Sequence, residues 1–290
     1  MMLVTMDPTS RTAGMLSIPR DMWVNIPGYG YGKINQAYFI GEIYDLPGGG
    51  PGLAVQTVEE FLGIDINYYA QIDFDAFIEF INEIGGVKID VPSKITVDPM
   101  AHGKKNNTKT LKPGIQLLDG ELALAYARAR HTEGGDFDRA QRQQQVIMGI
   151  RDQILRFDML PTLIAKSGTL YNQLSKGVHT NLTLDQAVRL AWLASQIPAD
   201  QIKKGIISPP DQVNFATSPD GQQQVLKPIT EKIRQLRDDI FATGSTSPVA
   251  ANMSQADLLK AEGARVRVLN GSYTTGLAAK TADFLKTQGI

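Results

Sequence analysis

The sequence predicts an α/β protein with a layered α/β/α domain built around a central mixed β-sheet. Two observations lead to this prediction. Runs with the two-residue alternation of strands and runs with the spacing of helices are mixed along the chain rather than segregated. The 290 residues are also 42% hydrophobic and 20% charged, which is the composition of an ordinary folded protein with a sizeable core.

The chain opens with two apolar runs, Met1 to Met6 and Ala13 to Ile18, separated by the turn sequence Asp7-Pro8-Thr9-Ser10. Turn residues between two apolar runs predict a β-hairpin. Because the first run begins at Met1 itself, we expect further sequence upstream of this strand. A glycine-rich loop at 27–32 follows and leads into a short helix.

The next part of the chain alternates helices and strands. The glycine-rich stretch at 47–52 predicts a flexible loop before a helix from about Leu53 to Leu62. Residues 68–73 predict a strand, and residues 74–84 predict a helix that ends at Gly85-Gly86. The remaining elements predicted here are a strand over 87–91 and an exposed loop over 98–112.

The second half predicts longer helices and a division of the chain. A helix starts near Asp119, and the longest runs from about Arg139 to Phe157. A stretch rich in Ser, Thr, Ala and Pro predicts a linker over 243–260, between a large domain over 1–242 and a truncated small α/β segment over 261–290. Further elements are predicted as a helix over 184–196, strands over 205–207 and 265–269, and a helix over 277–287.

Charge and cysteine content exclude several classes of protein. The 29 Lys and Arg balance 30 Asp and Glu, so the chain lacks the overall positive field that non-specific nucleic-acid binding uses, and we expect no nucleic-acid partner. The absence of cysteine excludes disulfides, thiolate catalysis and cysteine metal sites. No apolar run in the sequence approaches the length that spans a bilayer.

The candidate site is a group of arginines around the start of the longest predicted helix. Arg128 and Arg130 are two residues apart, so in an extended segment their side chains project to one face. Asp138 predicts an N-cap, with Gln141 completing a capping box. The first turn of the helix then carries Arg139, Arg142 and Gln143, on the stripe that continues through Val146, Ile147, Ile150 and Ile154.

That stripe indicates chemistry directed at an oxyanion. Its far end is apolar and must be buried, so its arginines point toward the body of the protein, where they need anionic partners. Arginine forks and a helix N-terminus both suit phosphate. The alternative is a purely structural network of ion pairs with Glu121, Glu133, Asp136 and Asp138, and spacing alone leaves both open.

Several motifs, in order, resemble those of the LytR-CpsA-Psr (LCP) family. The final motif is the Asp-x-x-Arg-x-x-Arg-Gln block at 136–143, and the resemblance covers about residues 1 to 210. Residues 265–290 resemble the first half of the LytR C-terminal domain, so the predicted large domain corresponds to an LCP catalytic domain without its N-terminal part. The earlier motifs are Leu16-Ser17-Ile18-Pro19-Arg20-Asp21, Lys33-Ile34-Asn35, Gly85-Gly86-Val87 and the run from Leu118 to Arg130.

The resemblance implies an enzyme of cell-wall assembly at the outer face of the cytoplasmic membrane. Family members are phosphotransferases that pass a glycopolymer phosphate from a polyprenyl pyrophosphate carrier to a peptidoglycan hydroxyl. Catalytic roles are implied for Arg20, Arg128 and Arg130, and the apolar side chains below the arginines are implied to line a slot for the prenyl tail. The positions implied to bind the pyrophosphate are Arg20, Lys33, Arg128, Arg130, Arg139, Arg142 and Gln143.

The resemblance also implies parts that this sequence does not contain. The family uses Mg²⁺, and its acidic ligands belong to motifs that would lie upstream of Met1, as would a membrane-anchoring helix. The metal ligands are therefore unknown within this chain. Two alternatives stay open, namely a polyprenyl-pyrophosphate binding module or pyrophosphatase without transfer activity, and a transcriptional attenuator, which the neutral charge and the lack of a helix-turn-helix signature oppose.

Two other features have ordinary explanations beside functional ones. The glycine-rich stretch 48–52 precedes a helix, but no Gly-Lys-Ser or Gly-Lys-Thr follows, so a flexible loop is favoured over a phosphate-binding loop. Trp23 and Tyr29 lie near the first glycine-rich loop, where they could stack on sugar rings or simply pack.

Overall fold

The computed structural model divides the chain into two compact units, residues 1–241 and residues 242–290. Of the second unit, only one helix is described. The predicted linker over 243–260 and the predicted strand over 265–269 therefore lie outside the described residues. The structure describes residues 1–99, 108–130, 132–155, 176–241 and 277–287.

Strands and helices alternate through the first unit. The described strands are β1 Met2–Asp7, β2 Thr12–Ser17, β3 Trp23–Ile26, β4 Gly30–Lys33, β5 Ala70–Ile72, β6 Val87–Val91, β7 Ile95–Val97, β8 Lys109–Leu111, β9 Gly114–Leu118, β10 Val178–Thr180, β11 Ile202–Ile206, β12 Val213–Thr217 and β13 Gln224–Pro228. The described helices are α1 Gln36–Ile43, α2 Gly49–Leu62, α3 Phe74–Glu83, α4 Gly120–Arg128, α5 Gly135–Ile154, α6 Leu184–Gln196, α7 Thr230–Phe241 and, in the second unit, α8 Leu277–Thr287.

A mixed three-stranded sheet lies at the centre, in the order β1-β2-β11. The hairpin of β1 and β2 is antiparallel, and β11 joins β2 in parallel. Every residue of β2 after Thr12 is buried, as expected for the middle strand of a sheet that is covered on both faces. The remaining ladders are two-stranded, namely β3 with β4, β5 with β10, β6 with β9, β7 with β8 and β12 with β13.

Helices cover the two faces of this sheet. On one face, α7 approaches so closely that a Cβ atom on Gly14 of β2 would lie 2.5 Å from the carbonyl oxygen of Ile240. On the other, Gln144 of α5 donates to Ser17 Oγ at 2.9 Å. Because neighbouring residues of a strand face opposite sides, positions 14 and 17 of β2 lie on opposite faces. The structure therefore has the layered α/β/α arrangement, with the central mixed sheet, that the sequence predicts.

The prediction of a flexible loop at 48–52 is wrong. Helix α2 begins at Gly49, so three of these glycines form its first turns. They allow α2 to cross α1 at very short range, because a Cβ on Gly50 would lie 2.5 Å from the carbonyl oxygen of Tyr38, and one on Gly41 would lie 2.4 Å from that of Gly49. Contact with α1 overrides the low helix propensity of glycine at this point.

The first glycine-rich loop is shorter than predicted. Residues 30–33 form β4, which pairs with β3 in a tight hairpin. Tyr29 donates its backbone N–H to the carbonyl of Ile26, and Gly28 has φ of 79°, which a side chain would disfavour. No described helix is long and apolar enough to cross a membrane.

Candidate functional site

The first part of the candidate site lies just after β2 and at the end of β4. Asp21 joins the two segments, since its Oδ1 lies 3.2 Å from Lys33 Nζ and 3.6 Å from Arg20 Nε. The backbone reinforces this pairing, because Asn35 donates its N–H to the carbonyl of Arg20 at 3.3 Å. Arg20 and Lys33, which are far apart in the predicted elements, therefore share one carboxylate.

The second part lies at the junction of α4 and α5. Asp136 Oδ1 lies 3.2 Å from Arg130 Nε and 3.2 Å from Arg139 Nη1. Asp136 and Arg139 are one helical turn apart on α5, so the helix itself fixes their relation. Asp136 therefore orients two of the predicted arginines.

The start of α5 differs from the prediction. The helix begins at Gly135, with Gly134 as its N-cap residue. Asp138 lies within the first turn, where its Oδ2 accepts the N–H of Gly134 at 3.1 Å. The prediction that Asp138 is the N-cap is wrong, because Gly135, with φ of 51°, lets the chain turn into the helix earlier. Arg139 consequently lies in the second turn.

Arg139 connects the two parts electrostatically. Burial lowers the pKa of Arg139 below its ordinary value, and the nearby Asp136 opposes that shift. Arg130 and Arg20 lower the pKa of Arg139 further. Gln144 of α5 also donates to Ser17 Oγ at the end of β2, three residues before Arg20, so the two parts lie next to each other and form a single site. We call Arg20, Lys33, Arg130 and Arg139, with Asp21 and Asp136, the cationic cluster.

The cationic cluster is not a neutral ion-pair network. Its four cationic side chains are paired with two carboxylates, so it has a surplus of two positive charges. Of the four acids that the structural alternative invoked, only Asp136 forms an ion pair with an arginine of the cluster in the described part of the chain. A surplus of cations held close together favours an anionic ligand.

Arg139 is the member of the cluster with the least access to water. Its side chain is 17% exposed, and its Nε is buried with no hydrogen-bond partner in the described structure. A buried donor without a partner is costly and is uncommon in folded proteins. A ligand oxygen at this position would satisfy that donor.

Arg142 and Gln143 make contacts of another kind. Arg142 Nη2 donates to the carbonyl of Ala129, and Gln143 Nε2 donates to the carbonyl of Ala127 at 3.4 Å. Burial lowers the pKa of Arg142. Both side chains therefore fasten α5 to the end of α4, and they hold the segment that carries Arg128 and Arg130.

Arg128 stands apart from the ion pairs of the cluster. It is the last residue of α4 rather than part of an extended segment, and its guanidinium carbon lies 4.4 Å from the centre of the Phe74 ring. This distance is typical of a cation–π contact. The predicted role of Arg128 in binding pyrophosphate stays a prediction.

Gln144 is an important residue that the sequence did not indicate. It is buried, and its Nε2 donates to Ser17 Oγ and to the carbonyl of Gly205 at 2.8 Å. These bonds attach α5, the helix that carries Arg139, to β2 and β11. Gln143, Gln144 and Gln145 are identical side chains in succession, so no residue type or spacing distinguishes the buried one.

The apolar stripe of α5 belongs mostly to the core. Val146 is buried among residues of β6, β7 and α4, with Ile150 and Ile154 packed against the same cluster, whereas Ile147 is exposed. The implied slot for a prenyl tail along this face stays a prediction.

The described residues do not fit the implied magnesium ion. No group of three or more His, Asp or Glu side chains suited to a metal occurs in the ranges that the structure covers. The two carboxylates of the cationic cluster are each engaged by two cations. Within the described residues, the cationic cluster is therefore suited to an anion.

Comparison with known proteins agrees with this geometry. Residues 1–235, about four fifths of the chain, match the family model of the LytR_cpsA_psr family. The chain belongs to the LytR-CpsA-Psr family. Residues 263–290 match a second family model, LytR cell envelope-related transcriptional attenuator.

The relatives of this chain include a teichoic acid transferase and, at 33% identity over 208 residues, the regulatory protein MsrR of Staphylococcus aureus. The chain is 37% identical over 188 residues to the Bacillus subtilis polyisoprenyl-teichoic acid–peptidoglycan teichoic acid transferase TagT. The aligned residues cover 65% of this chain and 54% of TagT. The chain thus spans about half the length of this curated relative.

Solved LCP structures have the same fold. The crystal structure of B. subtilis TagV is 31% identical and covers 85% of this chain and 89% of that one, with a TM-score of 0.65. The structure of TagT bound to LIIa-WTA is 29% identical and covers 83% of each chain, also with a TM-score of 0.65.

Proposed function

We propose that this chain carries the catalytic domain of a phosphotransferase that moves a glycopolymer phosphate from a polyprenyl pyrophosphate carrier to a peptidoglycan hydroxyl. The observation that carries the proposal is the cationic cluster, with its surplus of two positive charges. In a diphosphate joined to a lipid at one end and a glycan at the other, each phosphoryl group has one negative charge. The ligand and the cluster are therefore matched in charge.

The proposed reaction exchanges one phosphorus–oxygen bond for another. The oxygen of the acceptor hydroxyl attacks the phosphorus that carries the glycopolymer and forms a new bond to it. The bond from that phosphorus to the bridging oxygen breaks, and polyprenyl phosphate leaves with the electron pair. The hydroxyl releases its proton to water. The residues of the chain have the task of holding the diphosphate and neutralising charge on the leaving phosphate.

Arg139 and Arg130 are placed for that task. Asp136 holds both guanidinium groups on one side, so that their other N–H groups are free for phosphate oxygens. The Nε of Arg139, which is buried without a hydrogen-bond partner in the described structure, is a further donor on this side chain. Arg20 and Lys33, which share Asp21, complete the set. The charge of the leaving phosphate is best stabilised by cations that are already in place before the reaction.

Magnesium enters this proposal only from outside the cationic cluster. The cluster is proposed to bind the diphosphate through its own cations, and a Mg²⁺ ion would need ligands other than the described residues. No step above uses a metal.

The first alternative, a prenyl-pyrophosphate binding module or pyrophosphatase without transfer, would use the same cationic cluster, whose two carboxylates are each paired with two cations. The two functions differ in their products. Transfer yields a glycan joined to the acceptor through phosphate, whereas hydrolysis yields the free phosphorylated glycan.

The proposed location is the outer face of the cytoplasmic membrane, with peptidoglycan as the acceptor and an N-terminal membrane anchor in the full protein. The names of the relatives support this location, because both teichoic acid and peptidoglycan belong to the cell envelope.

The test is a calorimetric titration of the 290-residue chain with farnesyl pyrophosphate. We expect micromolar affinity for the unchanged chain and at least thirtyfold weaker binding for Arg139→Ala, because about 2 kcal/mol of charge-assisted contact is lost. Arg189→Ala is the matched control, since this arginine lies on α6 with a 78% exposed side chain and pairs only with Asp185 in the described structure.

The outcomes are distinct. Equal loss of affinity in both variants, or no binding by the unchanged chain, would contradict the proposal. A second measurement supplies a lipid-linked glycan and an oligosaccharide acceptor, and mass spectrometry identifies the product. A phosphate-linked glycan on the acceptor would support transfer, and its absence alongside released phosphorylated glycan would favour the hydrolase.

A further inference from the structure

An open groove lies between the β3–β4 hairpin and α1. Its volume is about 300 Å³, within the range of small-ligand sites. The rings of Tyr31 and Phe39 along it are 71% and 64% exposed, and Tyr29 stacks on Tyr44 with ring centres 5.5 Å apart. We call this feature the aromatic groove. Single exposed aromatic residues are common, but four in one concave surface indicate a binding site.

Glycines keep the aromatic groove open. A Cβ on Gly30 would meet no atom within 4 Å, so this position faces free space. Gly32 lies under Gln36, whose Oε1 accepts the backbone N–H of Lys33 at 2.9 Å. The amide NH₂ of Gln36 and the hydroxyls of the tyrosines supply polar groups beside the rings. The groove therefore combines flat apolar faces with hydrogen-bonding groups, as a sugar requires.

The aromatic groove is continuous with the cationic cluster. Tyr31 and Lys33 are two residues apart on β4, so they lie on the same side of the hairpin, about 7 Å apart along the strand. Lys33 forms an ion pair with Asp21 inside the cluster. A ligand that fills the groove would therefore end next to the groups that are proposed to hold the diphosphate.

The surrounding charge selects the ligand. None of the described residues that line the groove is Lys or Arg, and Glu42 and Asp45 are exposed next to its lining residues Ile43 and Tyr44. Such a surface repels a polyanionic glycopolymer and an anionic lipid surface, both of which need basic residues. A neutral polysaccharide is not repelled, and the apolar C–H faces of its pyranose rings stack on aromatic rings.

We propose that the aromatic groove binds the neutral N-acetylhexosamine backbone of peptidoglycan and brings the acceptor hydroxyl to the cationic cluster. This inference rests on the proposed function, because it assigns the acceptor of that same reaction to a surface. Tyr29, which the sequence offered as a stacking residue, lies in the groove, whereas Trp23 is not among the residues that line it. The donor then approaches from the side of the arginines.

The test is co-sedimentation of the 290-residue chain with peptidoglycan sacculi from which teichoic acid has been removed. We expect the double variant Tyr31→Ala/Phe39→Ala to bind at least tenfold more weakly than the unchanged chain. Both rings are largely exposed, so the fold and the affinity for farnesyl pyrophosphate should not change. Phe215→Ala is the matched control, since this ring is 70% exposed on the β12–β13 hairpin, and it should bind sacculi normally.

Two further measurements separate the possible outcomes. Tyr31→Phe, which keeps the ring, should bind sacculi like the unchanged chain if stacking is the main contact. Equal sacculus binding by the double variant and the unchanged chain would overturn the proposal, and so would a double variant that loses only binding to anionic lipid vesicles. Failure of the chain to bind farnesyl pyrophosphate would refute the proposed function instead, and that measurement is independent of the groove variants.

Discussion

Arg139 and Arg142 lie three residues apart on one helix, but the structure predicts that their removal has opposite consequences. Arg142 is 7% exposed and its guanidinium bonds to the carbonyl of Ala129. Replacing it with alanine removes a hydrogen bond to a charged group and leaves the part-buried carbonyl of Ala129 without this donor. Each of these losses costs about 1 to 3 kcal/mol, and relief of the desolvated charge offsets part of the sum. We expect Arg142→Ala to lower the free energy of unfolding by about 2 to 3 kcal/mol.

Arg139→Ala should affect the free energy of unfolding far less. Its ion pair with Asp136 is partly exposed, and such pairs contribute about 0 to 1 kcal/mol. The substitution also removes repulsion from Arg20 and Arg130, both of which lower the pKa of Arg139. The expected change in unfolding free energy is therefore below about 1 kcal/mol. Its effect on ligand affinity should be large, about thirtyfold or more.

The assay combines guanidinium denaturation, followed by far-ultraviolet circular dichroism, with titration of farnesyl pyrophosphate into the folded protein. Arg142→Ala should lose stability, and Arg139→Ala should lose affinity. Destabilisation by more than about 2 kcal/mol in Arg139→Ala, with normal ligand binding by the folded fraction, would contradict a ligand-binding role for this arginine. In that case the arginines would form a structural ion-pair network.

Two further predictions concern how α5 and α1 are held in place. Gln144→Ala should lower the free energy of unfolding by about 2 to 3 kcal/mol in guanidinium denaturation, because Ser17 Oγ and the carbonyl of Gly205 lose their buried donor. The exposed control Gln56→Ala should change it by less than about 0.5 kcal/mol. Equal effects of the two substitutions would show that the bonds to the sheet are unimportant. Gly41→Ala should cost about 1 to 3 kcal/mol in the same measurement, since the added methyl group would lie 2.4 Å from the carbonyl oxygen of Gly49. The milder comparison is Gly52→Ala, where the nearest atom would be 3.1 Å away, and a cost as large as that of Gly41→Ala would contradict the close crossing of α1 and α2.

Elements with capping side chains could be predicted from the sequence. The helix predicted over 184–196 has those bounds in the structure, and Thr183 and Gln186 form a capping box at its start. Asp73 and Asp119 accept backbone N–H groups at the starts of α3 and α4 in the same way. In these helices the local preference and the tertiary structure agree, so residue types are sufficient.

Elements that depend on contacts distant in sequence could not be predicted in the same way. Glycine propensity indicated a loop at 48–52, but close packing on α1 makes that stretch helical. Arg139 and Arg142 share a stripe on the helix, yet only the packing of α4 shows that Arg142 donates to the carbonyl of Ala129. The arginine-rich character of the site was predictable from the sequence. Which of the arginines form ion pairs and which bond to the backbone was not.

The most direct test of the central claim is a crystal structure of the chain in complex with geranylgeranyl pyrophosphate. We expect diphosphate oxygens within about 3 Å of Arg130 and Arg139, with one of them accepting a hydrogen bond from the buried Nε of Arg139. A diphosphate bound elsewhere, with the ion pairs of Asp136 unchanged and Arg139 Nε still without a partner, would contradict it.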